Sequence, residues 1–339
     1  GDYEIAAQAA KACMDLKLYS LEPDYAKLFK QSTKLNDEKV FVIPRSIENE
    51  VMLDSWIVKN GLPRNAGGYG SYNPSWDLLA SYLCTDGLPI DESPLFDPRK
   101  PFKNRDPRCT MTIVEFNTEH CGFEYDPSPA AKTVMNYTTG KTQSNQDTRI
   151  VNQYSSYTGL LWKKGIDATW TVDQKVEQDY IIMRYADVLL IYAEALFEKN
   201  GNISDSDLDI SINKLRDRVG MPHLTNTFVT ANGLNMKEEI RRERTIELSL
   251  EGYRLDDLRR WKTAEVELNQ PLRGIKYKGT EYETDGRWDN IGYEVDEEGV
   301  IVLEKASDRK FDPNKHYLFP LPTRQILLNP QLEQNPGWK

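Results

Sequence analysis

Between Met236 and Trp261 hydrophobic positions return with helical spacing. Ile240, Leu248, Leu255, Leu258 and Trp261 form one line, and Ile246, Leu250 and Tyr253 form a second. The pattern predicts one amphipathic helix over the stretch. Charges sit inside its apolar face: Arg244 and Glu251 share a side with Ile240 and Leu248. The offsets Arg244/Glu247, Arg254/Asp257 and Asp256/Arg260 set opposite charges three or four residues apart, where helix neighbours meet. Charge within an apolar face is costly unless paired, so this helix is expected to carry satisfied ion pairs at a packed junction. A catalytic reading would take Glu247 and Glu251 as an acid/base pair, but no other feature of the chain supports it.

Other periodic stretches flank this one. Asp2–Leu18 reads as a helix with Ile5, Ala9, Ala12 and Leu16 on its apolar side, and a helical turn follows Pro23. Tyr180–Lys199 is apolar almost all round, which predicts a buried helix, ended by Asn200-Gly201. Ser204 and Asp207 form a capping pattern for a second helix, with Leu208, Ile212, Leu215 and Val219 as its stripe and Gly220 and Pro222 at its end. Together they predict an αα-hairpin of tetratricopeptide type, which needs further helices to cover it. Phe41–Ile43 and Met111–Phe116 are strand candidates, as are Ile275–Tyr282, Asn290–Val295 and Val300–Leu303. From Glu48 to Gln178 helical periodicity mostly disappears, and aromatic residues among Gly, Pro and Asn take over. A long irregular stretch of this kind is usually functional, and its aromatic content argues against disorder.

Composition narrows the function classes. With 339 residues the chain can bury a sizeable core, and its net charge of −10 argues against nucleic acid as a partner. Mean hydropathy is −0.64, and no apolar run reaches the roughly 18 residues of a membrane span. Ile181–Phe197 comes nearest, but Arg184, Asp187 and Glu194 interrupt it. Neither a signal peptide nor a lipobox-like cysteine stands at the start, and the opening helix reads as a piece of something longer. Cys13, Cys84, Cys109 and Cys121 lack metal-ligand spacing; only Cys109 and Cys121 are near enough in sequence for a disulfide to be considered. His120, His223 and His316 are too scattered to build a metal centre.

The most informative chemistry lies in Trp56–Trp76 (WIVKNGLPRNAGGYGSYNPSW), where Gly61, Gly67, Gly68, Gly70, Pro63 and Pro74 predict a loop. Trp56, Tyr69, Tyr72 and Trp76 alternate there with Arg64, Asn65 and Asn73. Sugar rings present apolar C–H faces and hydroxyl edges, so aromatic platforms flanked by amide and guanidinium donors match them chemically. The competing reading is that these rings anchor the loop to the core. NAGGYG lacks the lysine and the Ser/Thr of a phosphate-binding loop. A second aromatic group, Tyr154, Tyr157, Trp162 and Trp170, reads as structural, and it and Trp288 are the reserve candidates for a ligand face.

RRERTIELSLEGYRLDDLRRW (241–261) resembles the signature helix of the SusD/RagB family, the surface glycan-binding lipoproteins of Bacteroidota. Further resemblances run in order along the chain: DYEIAAQAAKACMDLKLYSLEPDYAKLF, PSWDLLASYLCTDGLP, NRDPR, TGLLWKK, RYADVLLIYAEAL and HYLFPLPTRQILLNPQLEQNPGW. The resemblance implies a mainly α fold, with tetratricopeptide-like hairpins supporting a large loop-rich region and short β elements. The expected divisions are a helical-repeat remnant at 1–40, a loop-rich ligand-facing region at 41–178, a helical core at 179–262 and an irregular or β segment at 263–339. The sequence would correspond to roughly the C-terminal two-thirds of a member. It further implies glycan binding without catalysis, a lipid anchor outside this sequence that holds the protein at the outer-membrane surface, and delivery to a TonB-dependent transporter barrel. Some members serve peptide importers, which keeps a lid or scaffold role for peptide open; a glycoside hydrolase is the remaining alternative. No cofactor is expected; some relatives bind calcium, though no loop here has EF-hand spacing.

Overall fold

The computed structural model describes residues 1–281, 283 and 294–338, so Trp288 lies outside the described residues. The chain opens with α1 (Asp2–Asp15), α2 (Tyr25–Leu28) and β1 (Lys39–Ile43). Short helices α3 (Ser55–Gly61), α4 (Trp76–Ser81) and α5 (Pro107–Thr112) come next, then β2 (Thr118–His120), β3 (Phe123–Tyr125), β4 (Thr133–Asn136) and β5 (Lys141–Ser144). β6 (Tyr180–Arg184) leads into α6 (Tyr185–Asn200), α7 (Asp205–Asp209), α8 (Ile212–Arg218), α9 (Asn226–Ala231) and α10 (Met236–Glu247). The remainder comprises α11 (Arg254–Arg260), α12 (Ala264–Glu267), β7 (Leu272–Lys276), β8 (Glu294–Val295), β9 (Val300–Glu304) and α13 (Thr323–Leu328). The fold is mainly α, with short strands at its edges.

One core joins α1, α6, α8 and α10 through residues such as Met14, Leu189, Leu215 and Ile240. A second gathers Trp76, Leu79, Phe116, Ile246 and Ile275 beneath the loop-rich region. A smaller cluster of Val58, Leu62, Ile166 and Trp170 supports α3. β1 and β6 pair antiparallel, with Ile43 opposite Tyr180. Strands β2–β5 form an antiparallel meander, and β9 lies between β7 and β8.

Several elements depart from the periodicity reading. The expected helix 236–261 is two helices, broken where Leu250 takes φ +63° and Gly252 φ +90°. The break frees carbonyls that other segments fill: Glu247 O accepts from Tyr25 Oη (3.1 Å), Lys164 Nζ (3.1 Å) and Arg184 Nη2 (2.8 Å), and Ser249 O from Lys164 Nζ (2.8 Å). Tyr180–Arg184 is strand rather than helix because it completes the ladder with β1, and the helix begins at Tyr185. The second hairpin helix splits at Ser211, whose hydroxyl donates to Asp207 O and competes with the helical pattern; the expected Ser204 cap does form, accepting from Asp207 N. α1 ends at Asp15 and turns Ala7, Ala10 and Met14 inward, leaving Ile5, Ala9, Ala12 and Leu16 exposed, because its small residues fit closest against α6. Met111 and Thr112 finish α5, which Asp106 caps from Pro107, so no strand runs through 111–116. Of the described residues in Ile275–Tyr282, strand covers only the start, through Lys276, and Tyr282 and residues 290–293 of the expected strand Asn290–Val295 lie outside the described residues. All four cysteines are free, so Cys109 and Cys121 form no disulfide.

Below α10 the expected packed ion pairs are present, but with other partners than helical spacing proposed. Arg244 pairs with Asp187 (2.7 Å) and Asp257 (2.8 Å), not with Glu247. Arg254 lies 3.7 Å from Glu267, and Arg260 holds Glu194 and Asp257. Glu247 contacts Arg108 (2.8 Å), Arg184 (2.6 Å) and Arg218 (2.6 Å), while Glu251 contacts Arg184 (2.7 Å) and Lys164 (2.6 Å). Adding Arg216, Glu243, Glu38 and Asp106 closes a network of five cations and five carboxylates, with side chains 0–8% exposed. Burial pushes the Glu247 carboxyl up, but the guanidinium groups of Arg218, Arg184 and Arg108 outweigh it and hold the group well below its ordinary range. Glu251 is likewise held down by Arg184 and Lys164. Two carboxylates kept ionised under cations have no proton to give, which removes the acid/base reading of Glu247 and Glu251.

Candidate ligand-binding face

The face begins at α3. Asp54 caps it, its side chain accepting from Trp56 N (2.7 Å), and Val58 and Leu62 seat it on the small core. This anchors the exposed side of a helix where a loop was expected, and Trp56 stands on it, 62% exposed. The chain then folds tightly over Leu62. Tyr69 N donates to Lys59 O (2.6 Å) and Gly70 N to Leu62 O (2.8 Å). A Cβ on Gly68 would fall 2.2 Å from Leu62 O, so only glycine fits there.

That fold sets Tyr69 edge-to-face with Trp56, ring centroids 5.6 Å apart, and the Arg64 guanidinium 5.6 Å from the Tyr69 ring centre. Tyr72 is 45% exposed further along the same segment. Trp76 does not belong to the face: it opens α4 and is buried in the second core. The amides are committed elsewhere. Asn65 Nδ2 donates to Asp147 Oδ2 (2.7 Å) and Asn145 Oδ1 (3.2 Å), and its Oδ1 accepts from Gln146 N. Asn73 Nδ2 donates to Gly70 O (2.8 Å) and Leu160 O (3.2 Å), and its Oδ1 accepts from Tyr157 N (3.0 Å). Both therefore stitch the loop rather than reach outward. Arg64 keeps more freedom: its backbone N–H is held by Asp147, while its side chain makes a long bond (3.4 Å) to Gly68 O besides its contact with the Tyr69 ring. Burial pushes the Asp147 carboxyl up to about 6 against the lowering effect of the Asn65 and Arg64 donors.

The Asn73–Tyr157 bond joins this segment to the second aromatic group, which is divided. Tyr154 and Tyr157 are exposed, with Arg149 stacked 4.3 Å from the Tyr157 ring centre, whereas Trp170 is buried and Trp162 half-buried. Tyr154, Tyr157 and Arg149 thus extend the face, although the sequence reading took the group as structural. The Ser-Ser-Tyr run between polar turns was the available signal. Among the described residues no group of three metal-ligating side chains forms, and no helix is long and apolar enough to cross a membrane.

Residues 30–338 match the profile of the SusD family, and the chain belongs to that family. It is 31% identical over 198 residues to a SusD-like protein P2 from Formosa agariphila, covering 56% of this chain and 30% of that one. A SusD-like carbohydrate-binding protein from Bacteroides fragilis has a solved structure that superposes with a TM-score of 0.80 at 30% identity, over 98% of this chain and 61% of that one. A second SusD-like protein from the same organism shares the fold at 23% identity and a TM-score of 0.69, over 99% of this chain and 62% of its own. The chain therefore spans about three-fifths of these solved relatives and under a third of the curated one.

Proposed function

We propose that the chain binds a glycan on the face of Trp56, Tyr69, Tyr72 and Tyr157, without turning it over, as part of a cell-surface lipoprotein that passes its ligand to a TonB-dependent transporter barrel. The observation that carries this reading is the exposure of Trp56, Tyr72 and Tyr157, with half-buried Tyr69 edge-to-face against Trp56, around a segment whose amides are spent internally and so hold it firmly. Preformed aromatic platforms lower the ordering cost of association. Arg64 supplies a guanidinium donor beside Tyr69. The B. fragilis relative, described as carbohydrate-binding, supports the same ligand class. Binding needs no cofactor in this reading, since rings and guanidinium groups suffice.

The test is affinity electrophoresis of the purified chain through gels carrying plant or host polysaccharides, with and without a chelator. Retardation by at least one polysaccharide, unchanged by the chelator and abolished by Trp56→Ala, is the expected result. Polysaccharide chain length, followed by chromatography, stays constant on long incubation. New reducing ends that persist through repurification would overturn the non-catalytic reading. Transfer to a barrel is tested separately, by co-purification of the tagged protein with a TonB-dependent transporter from outer membranes.

A further inference from the structure

A cavity of about 360 Å³ adjoins the aromatic face, at the lower end of the range of small-molecule sites, about 300–1,000 Å³. Tyr72 belongs both to the face and to the cavity lining, and Ile57 follows Trp56 on α3. The wall differs from the face in kind: aliphatic side chains, Leu53, Ile57, Ile166, Ile181 and Leu250, make up much of it. Ile57, Tyr72, Tyr180 and Leu250 are also 40–49% exposed, so the cavity opens to solvent through an apolar rim. Apolar surface gathered in this way and left in water marks a binding site more often than a packing fault. At that rim Leu250 takes φ +63°, a conformation costly for a leucine.

Most of the polar lining is committed. Lys164 bonds to Glu251 and to the carbonyls of Glu247 and Ser249, Glu251 also holds Arg184, and Asp179 Oδ1 accepts from Arg45 N (3.0 Å). The Arg45 side chain is the exception. Its Nη1 donates to Gln178 O (2.8 Å), and its guanidinium lies 5.8 Å from the Tyr180 ring centre, so two other lining residues hold it at the wall. Among the described residues no carboxylate forms an ion pair with that guanidinium, and its remaining N–H groups have no hydrogen-bond partner. The cavity therefore offers room for an apolar body and a set of spare donors. A cavity of about 150 Å³ already accepts benzene, so this one admits a substituted ring with a short arm. A sugar enclosed here would give up water at hydroxyls that aliphatic side chains cannot bond.

We infer that the cavity receives an aromatic ester group carried by the glycan, of the hydroxycinnamoyl class, with Arg45 as donor to its carbonyl. An ester carbonyl accepts and does not donate, which matches a guanidinium that donates and does not accept. Because Tyr72 is shared, a sugar on the face and a substituent hanging from it are held side by side. The inference rests on the glycan-binding reading and adds to it the chemical class of a substituent and a second point of attachment.

The intact chain is titrated calorimetrically with methyl ferulate, with isoeugenol, which keeps the ring but lacks the carbonyl, with methyl glucoside and with N-acetylphenylalanine amide. Methyl ferulate should bind about tenfold more tightly than isoeugenol, the effect of one hydrogen bond to a charged group, and methyl glucoside should not displace it. Arg45→Met should erase that difference and leave isoeugenol bound, whereas Leu250→Gly should weaken both ligands about tenfold. Leu250→Gly removes wall while relaxing the backbone, so its melting temperature should not fall; a purely structural role for Leu250 would lower it and leave the affinities alone. Feruloylated arabinoxylan should be retarded in affinity electrophoresis more than the same polymer after alkaline saponification. Methyl ferulate binding no better than isoeugenol, or equal retardation of the two polymers, would overturn the assignment. So would the phenylalanine amide binding where methyl ferulate does not, which would make a peptide side chain the occupant. If a polysaccharide is retained on the face while no ester binds, only the cavity assignment falls. If none is retained, the glycan reading falls and takes the substituent with it.

Discussion

At the junction beneath α10, five cations and five carboxylates lie with side chains at most 8% exposed, each held by two or more partners or by one at close range. On the ligand face Trp56 and Tyr72, large apolar groups, stand in solvent. Each region places its residues where transfer free energy disfavours them, and each is stabilised differently. The charges are stabilised by mutual pairing, which leaves them nothing to offer a ligand. The rings meet other aromatic or cationic groups only at their edges and keep much of their surface in solvent, as a face that a ligand is proposed to cover would. Chemical reactivity on paper is therefore a poor guide here: the densest charge is architecture, and the candidate face is built mainly from aromatic rings, with Arg64 and Arg149 beside two of them.

The comparison is broken most severely by removing a cation from the junction. Arg108→Ala leaves Asp106, Glu243 and Glu247 facing each other without water, and should cost about 3–5 kcal/mol in chemical denaturation. Arg244→Ala strands Asp187 and Asp257 in a less enclosed place and should cost about 2 kcal/mol or more; a loss within about 0.5 kcal/mol would mean that water replaces the guanidinium freely. The opposite signature belongs to the face. Trp56→Ala should weaken glycan binding by about 1–3 kcal/mol in calorimetry, with the melting temperature nearly unchanged.

A pH series sharpens the contrast with a smaller effect. Glu247, Glu251 and Glu194 have folded pKa values below 4.5, so their contribution is present above that pH and is lost as pH falls through the depressed values. Asp147 beneath the face, and Asp126 near it, are raised from 3.8 to about 6 by burial. Their sign is reversed: the stability they contribute is full below about 3.8 and disappears as pH rises through about 6. Buried His120, lowered from 6.5 to about 3, opposes them as pH falls through 6.5, so the melting temperature should rise only slightly between neutrality and about pH 5, then drop under stronger acid. Asp147→Asn should remove that slight rise, leaving Asp126 outweighed by His120, and should not alter the drop in acid; a neutral-side profile unchanged by the substitution would assign the rise elsewhere.

Much of the helical scaffold was legible because its signals are local. Gly201 closes α6 and Ser204 caps α7, as their residue types foretold. What escaped the sequence was decided at long range. Arg244 had a carboxylate three residues away and chose two others, 57 and 13 residues distant: Asp187 comes from α6 and Asp257 from α11 beyond the break, while Glu247 is taken by Arg108, Arg184 and Arg218. That break lies at a leucine, a residue with no turn propensity, although the nearby Gly252 was a visible hint. On α1 the bulkier stripe looked like the buried one, yet Ala7 and Ala10 allow the closer approach to α6. In the candidate site the rings Trp56 and Tyr72 are where chemistry suggested, while Asn65, Asn73 and Trp76 are absorbed by the fold. Composition records that an amide is present; it cannot record that its hydrogens are already in use.

The pairing of β1 with β6 has a practical corollary. Ile43 and Tyr180 sit opposite each other, about 5 Å apart as in any ladder, so everything from 44 to 179 leaves and re-enters the helical body through one narrow gate. In topological terms residues 44–179 form a cassette, exchangeable in principle for the corresponding segment of a relative without re-routing α6 or α10. The cassette is nonetheless keyed, because it pushes Arg108 and Lys164 into the junction to meet Glu243, Glu247 and Glu251. A transplanted loop region that brings both cations at those two places, and fills the core that Trp76, Leu79 and Phe116 share with Ile246 and Ile275, should fold on this body. One that omits them would leave buried carboxylates unanswered, and would have to be accepted together with Glu243→Gln and Glu251→Gln in the host.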